Sequence, residues 1–515
     1  MFNPHFLKQH MQWIVGSIAG VIAVIGTLIS LHFGWILAYG DAESHINIAK
    51  KVVGSLTPGF AQLGGIWLPL THILMIPFVF FDPLWRTGLA GSIVSGIFFI
   101  AACVYIYKTA LLLTRNMLAS FITFLVFALN LNIVYMQSTP MTEVPLIALF
   151  ILSSYYFIKY LLNQNALPSL LLAALFAFAA SLTRYDGWFL VFFEAICIIG
   201  PYLRNKTLFK EKTGDVILFL TLAGFGILCW FGWCYLILGD PLYFMDSMYS
   251  ARAQQLSWLA KGELPAYHNL FLSIVYYTYT ALANIGLPIF IVSSIGLLVF
   301  FFDKTVQKKF WIVVVLLVPF IFNVVSLFLG QDVIFIPGLT PAHFEWHLFN
   351  VRYGIQMVPT AAIFFGYLFA KMKIQGKLTL SLLFLLEFGL IAIGYENVIT
   401  LADGTHGLSA AIIPTNVENF INTHYHGGLV LIDDYARTIS ITRSTIPMQD
   451  IIYVGNKPYW DISLKHPETY ATWIIMQKND AVWKAIYDNA AVRGDMYKYF
   501  KKVYTSNQIL IFEKN

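Results

Sequence analysis

Two carboxylates stand directly behind the first long apolar stretch of the chain. Asp41 and Glu43 lie in the run AYGDAESHINIAKK (38–51), with an amphipathic stretch after them. A carboxylate that emerges at a membrane surface can act as a general base. The simpler interpretation is that Asp41 caps the interfacial helix that follows it, with Ser44 nearby, because acidic residues often occupy that position.

Three further ionisable residues occur where apolar stretches begin or end. Glu143 lies in QSTPMTEVP (137–145), and Arg184 and Asp186 lie in SLTRYDGWF (181–189). Ionisable groups at membrane depth are functional candidates, and we expect these three to share one membrane face with the first two carboxylates and to contact substrate. Alternatively, Glu143 interacts with the dipole of the helix that it starts, and Arg184 and Asp186 form an interfacial pair.

Two arginines follow in later loops. Arg252 lies in GDPLYFMDSMYSARAQQ (239–255), and Arg352 precedes Tyr353 in HFEWHLFNVRYG (343–354). A guanidinium offers a fixed fork of donors and keeps its charge, so these residues are candidate ligands for a phosphate. The alternative is that arginine and tyrosine anchor the helices at the membrane interface.

The second of these loops also contains alternating metal-binding residue types. His343, Glu345 and His347 could share one face of a strand, or the two histidines could share a helix face, and hold a divalent metal. The spacing matches no specific zinc signature, and a solvated His and Glu pair is the commoner outcome. If the two arginines face the phosphate, a bound metal is not required, and we predict that no cofactor is required.

The elements that position these side chains are membrane helices. Of the 515 residues, 58% are hydrophobic and only 11% are charged, against roughly 25% charged in an ordinary soluble domain. This excludes a soluble globular protein, and the formal net charge of +5 is too small to argue for a nucleic-acid partner. The four cysteines lie inside apolar runs, which argues against a disulfide framework or a zinc site: Cys103, Cys197, Cys229 and Cys234.

Apolar stretches recur at lengths near the roughly 20 residues that a helix needs to cross a bilayer. The stretch Ile66–Phe81 is short and contains Pro69, His72 and Pro77, which favours an interfacial or re-entrant segment. The first stretch is too long for a signal sequence, so we expect it to be retained. The predicted spans are 13–39, 87–112, 117–136, 142–162, 167–183, 187–203, 215–238, 271–302, 310–330, 353–370 and 378–396.

Basic residues indicate whether the number of spans is odd or even, and therefore which loops share a side of the membrane. If the stretch 66–81 does not cross, the basic positions share one side of the membrane. The positive-inside rule then predicts about eleven transmembrane helices, a cytoplasmic N-terminus and an outer location for everything after about residue 397. The positions used are Lys8, Lys108, Arg115, Arg204–Lys212, Lys304–Lys309 and Lys371–Lys377.

The last part of the chain, 397–515, has a different character. Charges return, and the apolar runs shrink to strand length at 427–434, 471–476 and 508–514. Helical patterning around 480–489 supports an alternation of strands and helices. We predict a small extracytoplasmic α/β domain here.

The polar motifs, taken in order, resemble those of the GT-C glycosyltransferases, in particular the branch of protein O-mannosyltransferases and the lipid A aminoarabinose transferase. The resemblance covers about residues 1–370. It implies a GT-C fold for 1–396, an outer loop 40–86 with interfacial helices, and a donor sugar carried on a polyprenyl phosphate. The matching residues are Asp41, GIWLPLTHI (65–73), Thr142 with Glu143, TRYDGW (183–188), and Asn350, Arg352 and Tyr353.

In that family a carboxylate of the first outer loop is the catalytic base, which implies this role for Asp41. Relatives often place a glutamate directly after it, whereas here Ala42 intervenes before Glu43. Some relatives also carry a lysine for the lipid phosphate in the broken outer segment. This chain has Trp67 and His72 there, which we expect to contact substrate, and phosphate binding is expected to shift to Arg252 or Arg352.

The resulting hypothesis is a multi-pass enzyme of the plasma (inner) membrane that transfers a sugar with inversion from a polyprenyl-phosphate donor to a protein, lipid or glycan acceptor. No Rossmann phosphate loop for a nucleotide sugar occurs. Two alternatives stay open. One is a lipid-linked oligosaccharide transferase or ligase, and the other is a transporter or flippase, a class that commonly shows the internal repeats that this chain lacks.

Overall fold

The computed structural model describes residues 4–164, 166–203 and 206–515, so Arg204, the start of one predicted basic run, lies outside the described residues. The chain divides into two compact units, and neither is one continuous stretch of chain. The first unit comprises Met1–Tyr39, Gly65–Thr71 and Gly91–Ala410, and the second comprises Gly40–Gly64, His72–Ala90 and Ala411–Asn515. Helix 399–406, which lies inside the predicted tail domain 397–515, therefore belongs to the first unit.

Helices make up most of the described chain. Up to residue 161 they are α1 Pro4–His32, α2 Gly40–Gly54, α3 Leu70–Val79, α4 Asp82–Arg86, α5 Leu89–Thr114, α6 Met117–Ala128, α7 Leu131–Met136 and α8 Glu143–Leu161. From there to residue 302 they are α9 Ala166–Ser181, α10 Asp186–Ile199, α11 Lys206–Ala223, α12 Phe225–Leu238, α13 Tyr243–Asp246, α14 Ala251–Ala260, α15 Leu270–Ile285 and α16 Leu287–Phe302. The remaining helices are α17 Lys309–Leu316, α18 Val318–Phe328, α19 Val358–Lys371, α20 Ile374–Ala392, α21 Ile399–His406, α22 Asn416–His424, α23 Tyr459–Ser463 and α24 Ala490–Tyr499.

Shorter helical turns connect these elements. The 3₁₀ segments are Phe60–Leu63, Gly200–Tyr202, Val351–Met357, Asp434–Ala436, Met448–Asp450 and Pro467–Thr469. A π-helical turn, Trp483–Tyr487, lies where the sequence predicts helical patterning at 480–489.

The prediction of a polytopic helical membrane protein is confirmed. Among the described residues six helices are long and apolar enough to cross a membrane, or up to eight if each of two bent pairs is one span. Helices α3, α6 and α9 are apolar but shorter, and α3 has only 10 residues, so it is too short for a hydrocarbon core about 30 Å thick. The count of eleven spans stays a prediction. The six segments that are long and apolar enough to cross a membrane are His10–His32, Leu89–Thr114, Glu143–Leu161, Lys212–Leu238, Val351–Lys371 and Ile374–Ala392.

Two of the predicted spans are each formed by a sharply bent pair of helices. The pair α15 and α16 is bent by 114°, and the pair α17 and α18 by 52°. The first bend lies at Gly286, whose φ of +90° suits glycine, and Pro288 follows in the first turn of α16. A Cβ at Gly286 would stand 2.1 Å from the carboxylate of Glu387. Hydropathy alone does not register such a break, because both halves are apolar.

The core of the first unit is built around α8 and α9. Alanines at 173, 174 and 177 on α9 are fully buried, and small side chains allow membrane helices to approach closely. The N-terminal ends of α8 and α10 lie near each other, and ionisable side chains gather there.

The second unit contains a five-stranded sheet in the order β2-β1-β3-β5-β4. Strand β1 pairs in parallel with β2 and β3, and β5 pairs antiparallel with β3 and β4. The three predicted strand regions correspond to β1, β3 and β5, whereas β2 and β4 were not predicted, since β2 has two residues and β4 alternates only weakly. The strands are β1 Val430–Ile432, β2 Ile451–Ile452, β3 Trp473–Gln477, β4 Phe500–Thr505 and β5 Ile509–Lys514.

Candidate active site

Five of the predicted site residues in the first unit form one cluster around Glu143, in the first turn of α8. Glu143 Oε1 accepts a hydrogen bond from Arg184 Nη1 at 3.1 Å and another from Arg352 Nε at 3.0 Å. The side chain of Glu143 is fully buried, and that of Arg352 is only 4% exposed. The helix dipole favours an acid at this position, but the two guanidinium contacts show that the carboxylate also organises the cluster.

Asp186, at the start of α10, is the second acid of this cluster. Its Oδ2 accepts from Arg184 Nε at 3.1 Å, and its Oδ1 accepts from Gln356 Nε2 at 2.8 Å. Burial opposes the charge of Arg184, but Asp186 and Glu143 outweigh this effect and raise the pKa of the guanidinium. Arg184 therefore stays charged and joins the two acids.

Aromatic rings flank the two guanidinium groups. Arg184 lies 5.1 Å and Arg352 lies 5.2 Å from the ring centre of Tyr353, and Arg352 lies 5.0 Å from that of Tyr39. Cations attract the faces of aromatic rings at such distances. Tyr39 in turn donates from its hydroxyl to the carbonyl oxygen of Thr400 at 2.7 Å, so α21 helps to fix the ring.

Sequence reasoning missed a third acid in this region, Asp332, which follows α18. Burial and, after it, the charge of Asp186 raise the pKa of its carboxyl to about 7, against the opposing charges of Arg184 and Arg352. Its buried Oδ2 has no hydrogen-bond partner among the described residues. A carboxyl with this pKa can exchange a proton near neutral pH. The only sequence signal is an acid placed just after an apolar helix.

The two acids after helix α1 lie in the second unit, in the first turn of α2. Asp41 Oδ1 accepts from Arg437 Nη2 at 2.6 Å. Glu43 Oε1 accepts from Ser440 Oγ at 2.9 Å and from the backbone N and Oγ1 of Thr442 at 3.0 and 3.1 Å. Glu43 is thus engaged with a loop of the tail, whereas the side chain of Asp41 keeps 21% of its surface exposed.

The remaining predicted substrate contacts have different surroundings. His72 is buried in the second unit, and its Nε2 lies 2.8 Å from His45 Nδ1. Burial, reinforced by His45, lowers the pKa of His72, so the imidazole is neutral. Trp67 is partly exposed in an irregular segment of the first unit. Arg252, in the first turn of α14, is 52% exposed and lies 3.8 Å from Asp246.

A metal ligand set is not found within the described ranges of the chain: no group of three or more His, Cys, Asp or Glu side chains could hold an ion. His343, Glu345 and His347 are exposed and lie in an irregular segment. They therefore share neither a strand face nor a helix face, which corrects both geometries considered for them.

The structure thus brings together five of the ten predicted site residues in one cluster and Asp41 with Glu43 at the start of α2. The cluster contains Glu143, Arg184, Asp186, Arg352 and Tyr353. The roles of all ten in substrate binding or catalysis stay predictions. Arg437 and Thr442 were missed, because no local pattern links them to acids almost 400 positions earlier.

Solved structures resemble this chain over nearly its whole length. ArnT from Cupriavidus metallidurans bound to undecaprenyl phosphate has a TM-score of 0.58 and 10% sequence identity, covering 97% of each chain. The same protein in the apo state has a TM-score of 0.52 and 10% identity, covering 95% of this chain and 97% of that chain. An oligosaccharyltransferase of Archaeoglobus fulgidus, in complex with Zn and sulfate, has a TM-score of 0.49 and 11% identity, covering 97% and 73%.

No protein-family model and no curated protein sequence matches the chain. The TM-scores of 0.58 and 0.52 indicate a shared architecture over 95% or more of each chain, and at 10% identity the likeness concerns the fold alone. The predicted GT-C fold is therefore confirmed: this chain is an integral membrane protein with the fold of the ArnT structures.

Proposed function

We propose that this chain is a membrane glycosyltransferase that moves a sugar from a polyprenyl-phosphate donor to a hydroxyl or amine acceptor. The observation that carries the proposal is the match over 97% of both chains to a structure of ArnT bound to undecaprenyl phosphate. The membrane helices supply the apolar surroundings that a polyprenyl tail requires.

Asp41 is the proposed base. In the reaction Asp41 takes the proton of the acceptor, the acceptor oxygen or nitrogen forms a bond to the anomeric carbon, and the bond from that carbon to the phosphate oxygen breaks. The electron pair leaves with the polyprenyl phosphate, and attack from the opposite face inverts the configuration. The partial exposure of Asp41 supports this role, since an acceptor can approach it.

Charge on the departing phosphate is the main electrostatic cost of this reaction. Arg252 and Arg352 are the proposed ligands, and a well-placed donor is typically worth about 3 to 4 kcal/mol. Their surroundings differ. Arg352 already contacts Glu143, whereas Arg252 is half exposed and, within the described part of the chain, its ion pair is a long one of 3.8 Å to Asp246. Arg252 is thus the better candidate for a ligand that meets the phosphate only when substrate binds.

The direct test presents a panel of lipid-linked sugars to the purified protein in nanodiscs and measures free polyprenyl phosphate. Release from at least one donor, with the sugar recovered on an acceptor, is the expected result. Movement of an intact donor between leaflets, without release, would contradict the proposal and indicate a flippase. Asp461→Asn is a matched control, because this exposed carboxylate of the second unit lies 3.7 Å from Lys457 and has no proposed role.

We further propose that the N-terminus is cytoplasmic and that the tail lies on the outer side. Single cysteines at Lys308 and Lys502, placed in a background without the four native cysteines, test this with an impermeant thiol reagent in intact cells. Labelling at 502 alone is expected. Labelling at 308 alone would invert the orientation.

A further inference from the structure

A loop of the tail, residues 437–445, places a guanidinium on the proposed base. Arg437 directly follows the 3₁₀ turn Asp434–Ala436 and has a φ of +52°. Its Nη2 lies 2.6 Å from Asp41 Oδ1 and 3.4 Å from Ser44 Oγ. All of these residues belong to the second unit.

Hydrogen bonds to Glu43 and Arg86 also anchor this loop. Glu43 Oε1 accepts from Ser440 and twice from Thr442, as described above. Arg86 Nη1 donates to the carbonyl oxygens of Thr442 and Ser444 at 3.1 and 2.7 Å. Hydrogen bonds that do not involve Arg437 therefore hold the loop against α2 and α4. They fix the position from which the guanidinium of Arg437 contacts Asp41.

The loop is also tied to the tail itself. Arg443 contacts both carboxylate oxygens of Glu418, from Nε at 2.8 Å and from Nη2 at 3.1 Å. Bidentate pairs of this kind are geometrically specific. Among the described residues the two arginines of the loop thus differ: all three side-chain nitrogens of Arg443 donate to acceptors, whereas only Nη2 of Arg437 does.

Arg437 keeps donors available. A guanidinium has five N–H groups, and among the described residues its Nε and Nη1 have no partner. The side chain is 40% exposed. While Nη2 donates to Oδ1, one lone pair of that oxygen of Asp41 is engaged, and it becomes free when the guanidinium exchanges its partner.

We propose that Arg437 is a substrate-contacting residue that binds a phosphate group and, by exchanging its partner, releases Asp41 to act as base. The inference deepens the proposed function and rests on it. The phosphate belongs either to the polyprenyl donor or to the acceptor, and the same fork of donors suits both. No covalent bond changes in this step, because hydrogen bonds to Asp41 are replaced by hydrogen bonds to phosphate.

Binding of polyprenyl phosphate, without sugar, to the full chain in nanodiscs tests the first source of the phosphate. Arg437→Gln is expected to weaken binding about tenfold or more, as losing a charged hydrogen bond does, and Arg437→Lys to recover part of the loss. Arg493→Gln is the matched control, since this arginine of the same unit donates to the carbonyl oxygen of Tyr487. Far-UV circular dichroism checks that each variant is folded.

Competition by inorganic phosphate tests the second source. In the wild type, inorganic phosphate should compete with the acceptor for its binding site. If Arg437→Gln leaves binding of polyprenyl phosphate intact but abolishes this competition, the phosphate that Arg437 binds belongs to the acceptor. If neither quantity changes, Arg437 is only a surface partner of Asp41 and the inference is overturned.

A double variant separates phosphate binding from simple pairing. If Arg437 binds phosphate, Arg437→Gln weakens binding in the Asp41→Asn background as much as in the wild type. If Arg437 only pairs with Asp41, Arg437→Gln does not weaken binding of polyprenyl phosphate in the Asp41→Asn background. These binding measurements need no turnover, so failure of the wild type to release polyprenyl phosphate would count against the proposed function and not against this result.

Discussion

Two groups of ionisable side chains, one in each unit, differ in how far water can reach them. In the first unit Glu143 and Arg352 are buried, and their charges are balanced by Arg184 and Asp186. In the second unit the pair of Asp41 and Arg437 is 21% and 40% exposed. A buried pair loses much if one member is removed, whereas an exposed pair contributes little to stability. The first group is therefore suited to hold helices in place, and the second is suited to exchange partners during a reaction.

The largest effect on stability is expected when the buried group is broken. Glu143→Gln removes the carboxylate that both guanidinium groups contact, and removing one partner of a buried pair typically costs about 3 to 5 kcal/mol. We expect a clearly lower midpoint of thermal unfolding in detergent. Glu345→Gln, an exposed acid of the same unit, is the matched control. An unchanged midpoint for Glu143→Gln would show that the cluster is not a structural support.

A second prediction concerns the pH dependence of the buried group. The pKa of Asp332 is raised to about 7, above the value of about 3.9 for an unfolded aspartate. The folded state binds the proton more tightly, so this stabilising contribution is complete below about pH 4 and is lost as the pH rises through about 7. Asp332→Asn should reduce the fall in unfolding midpoint between pH 5 and pH 8. If the unfolding midpoint of the variant falls as steeply as that of the wild type, another titrating group causes this pH dependence.

The smallest effect is expected at the exposed pair. Arg437→Gln removes a contact between partly exposed charges, and such pairs contribute about 0 to 1 kcal/mol. The unfolding midpoint should therefore stay close to that of the wild type, even where substrate binding changes. A loss as large as that of Glu143→Gln would remove the contrast between the two groups and make Arg437 a structural residue.

Much of the cluster in the first unit could be predicted from the sequence. Glu143, Arg184 and Arg352 each stand at the end of an apolar stretch, and a membrane confines such positions to its surfaces. Hydropathy could not register the bend at Gly286, because the residues on both sides are equally apolar. The three strands with continuous apolar runs were also predictable, since burial on both faces leaves that pattern.

The contacts of Asp41 and Glu43 could not be predicted. Their partners lie in the tail, and long-range pairing of a polar loop leaves no local periodicity in either segment. The acids and histidines of the tail form no motif, so the sequence alone assigns no chemistry to them. The structure instead shows Arg437 of the tail on the side chain of Asp41, a contact that only the folded second unit creates.

The central claim, that Asp41 is the base, is tested most directly by turnover with saturating lipid-linked donor in nanodiscs. Asp41→Asn keeps the shape of the side chain but removes its basicity, and general-base catalysis typically contributes about 100-fold to 10,000-fold. We predict a loss in that range with donor binding retained, and a much smaller loss for Glu43→Gln, whose Oε1 can still accept from Ser440 and Thr442. Near wild-type turnover of Asp41→Asn with an inactive Glu43→Gln would assign the base to Glu43, and full activity of both variants would contradict the mechanism.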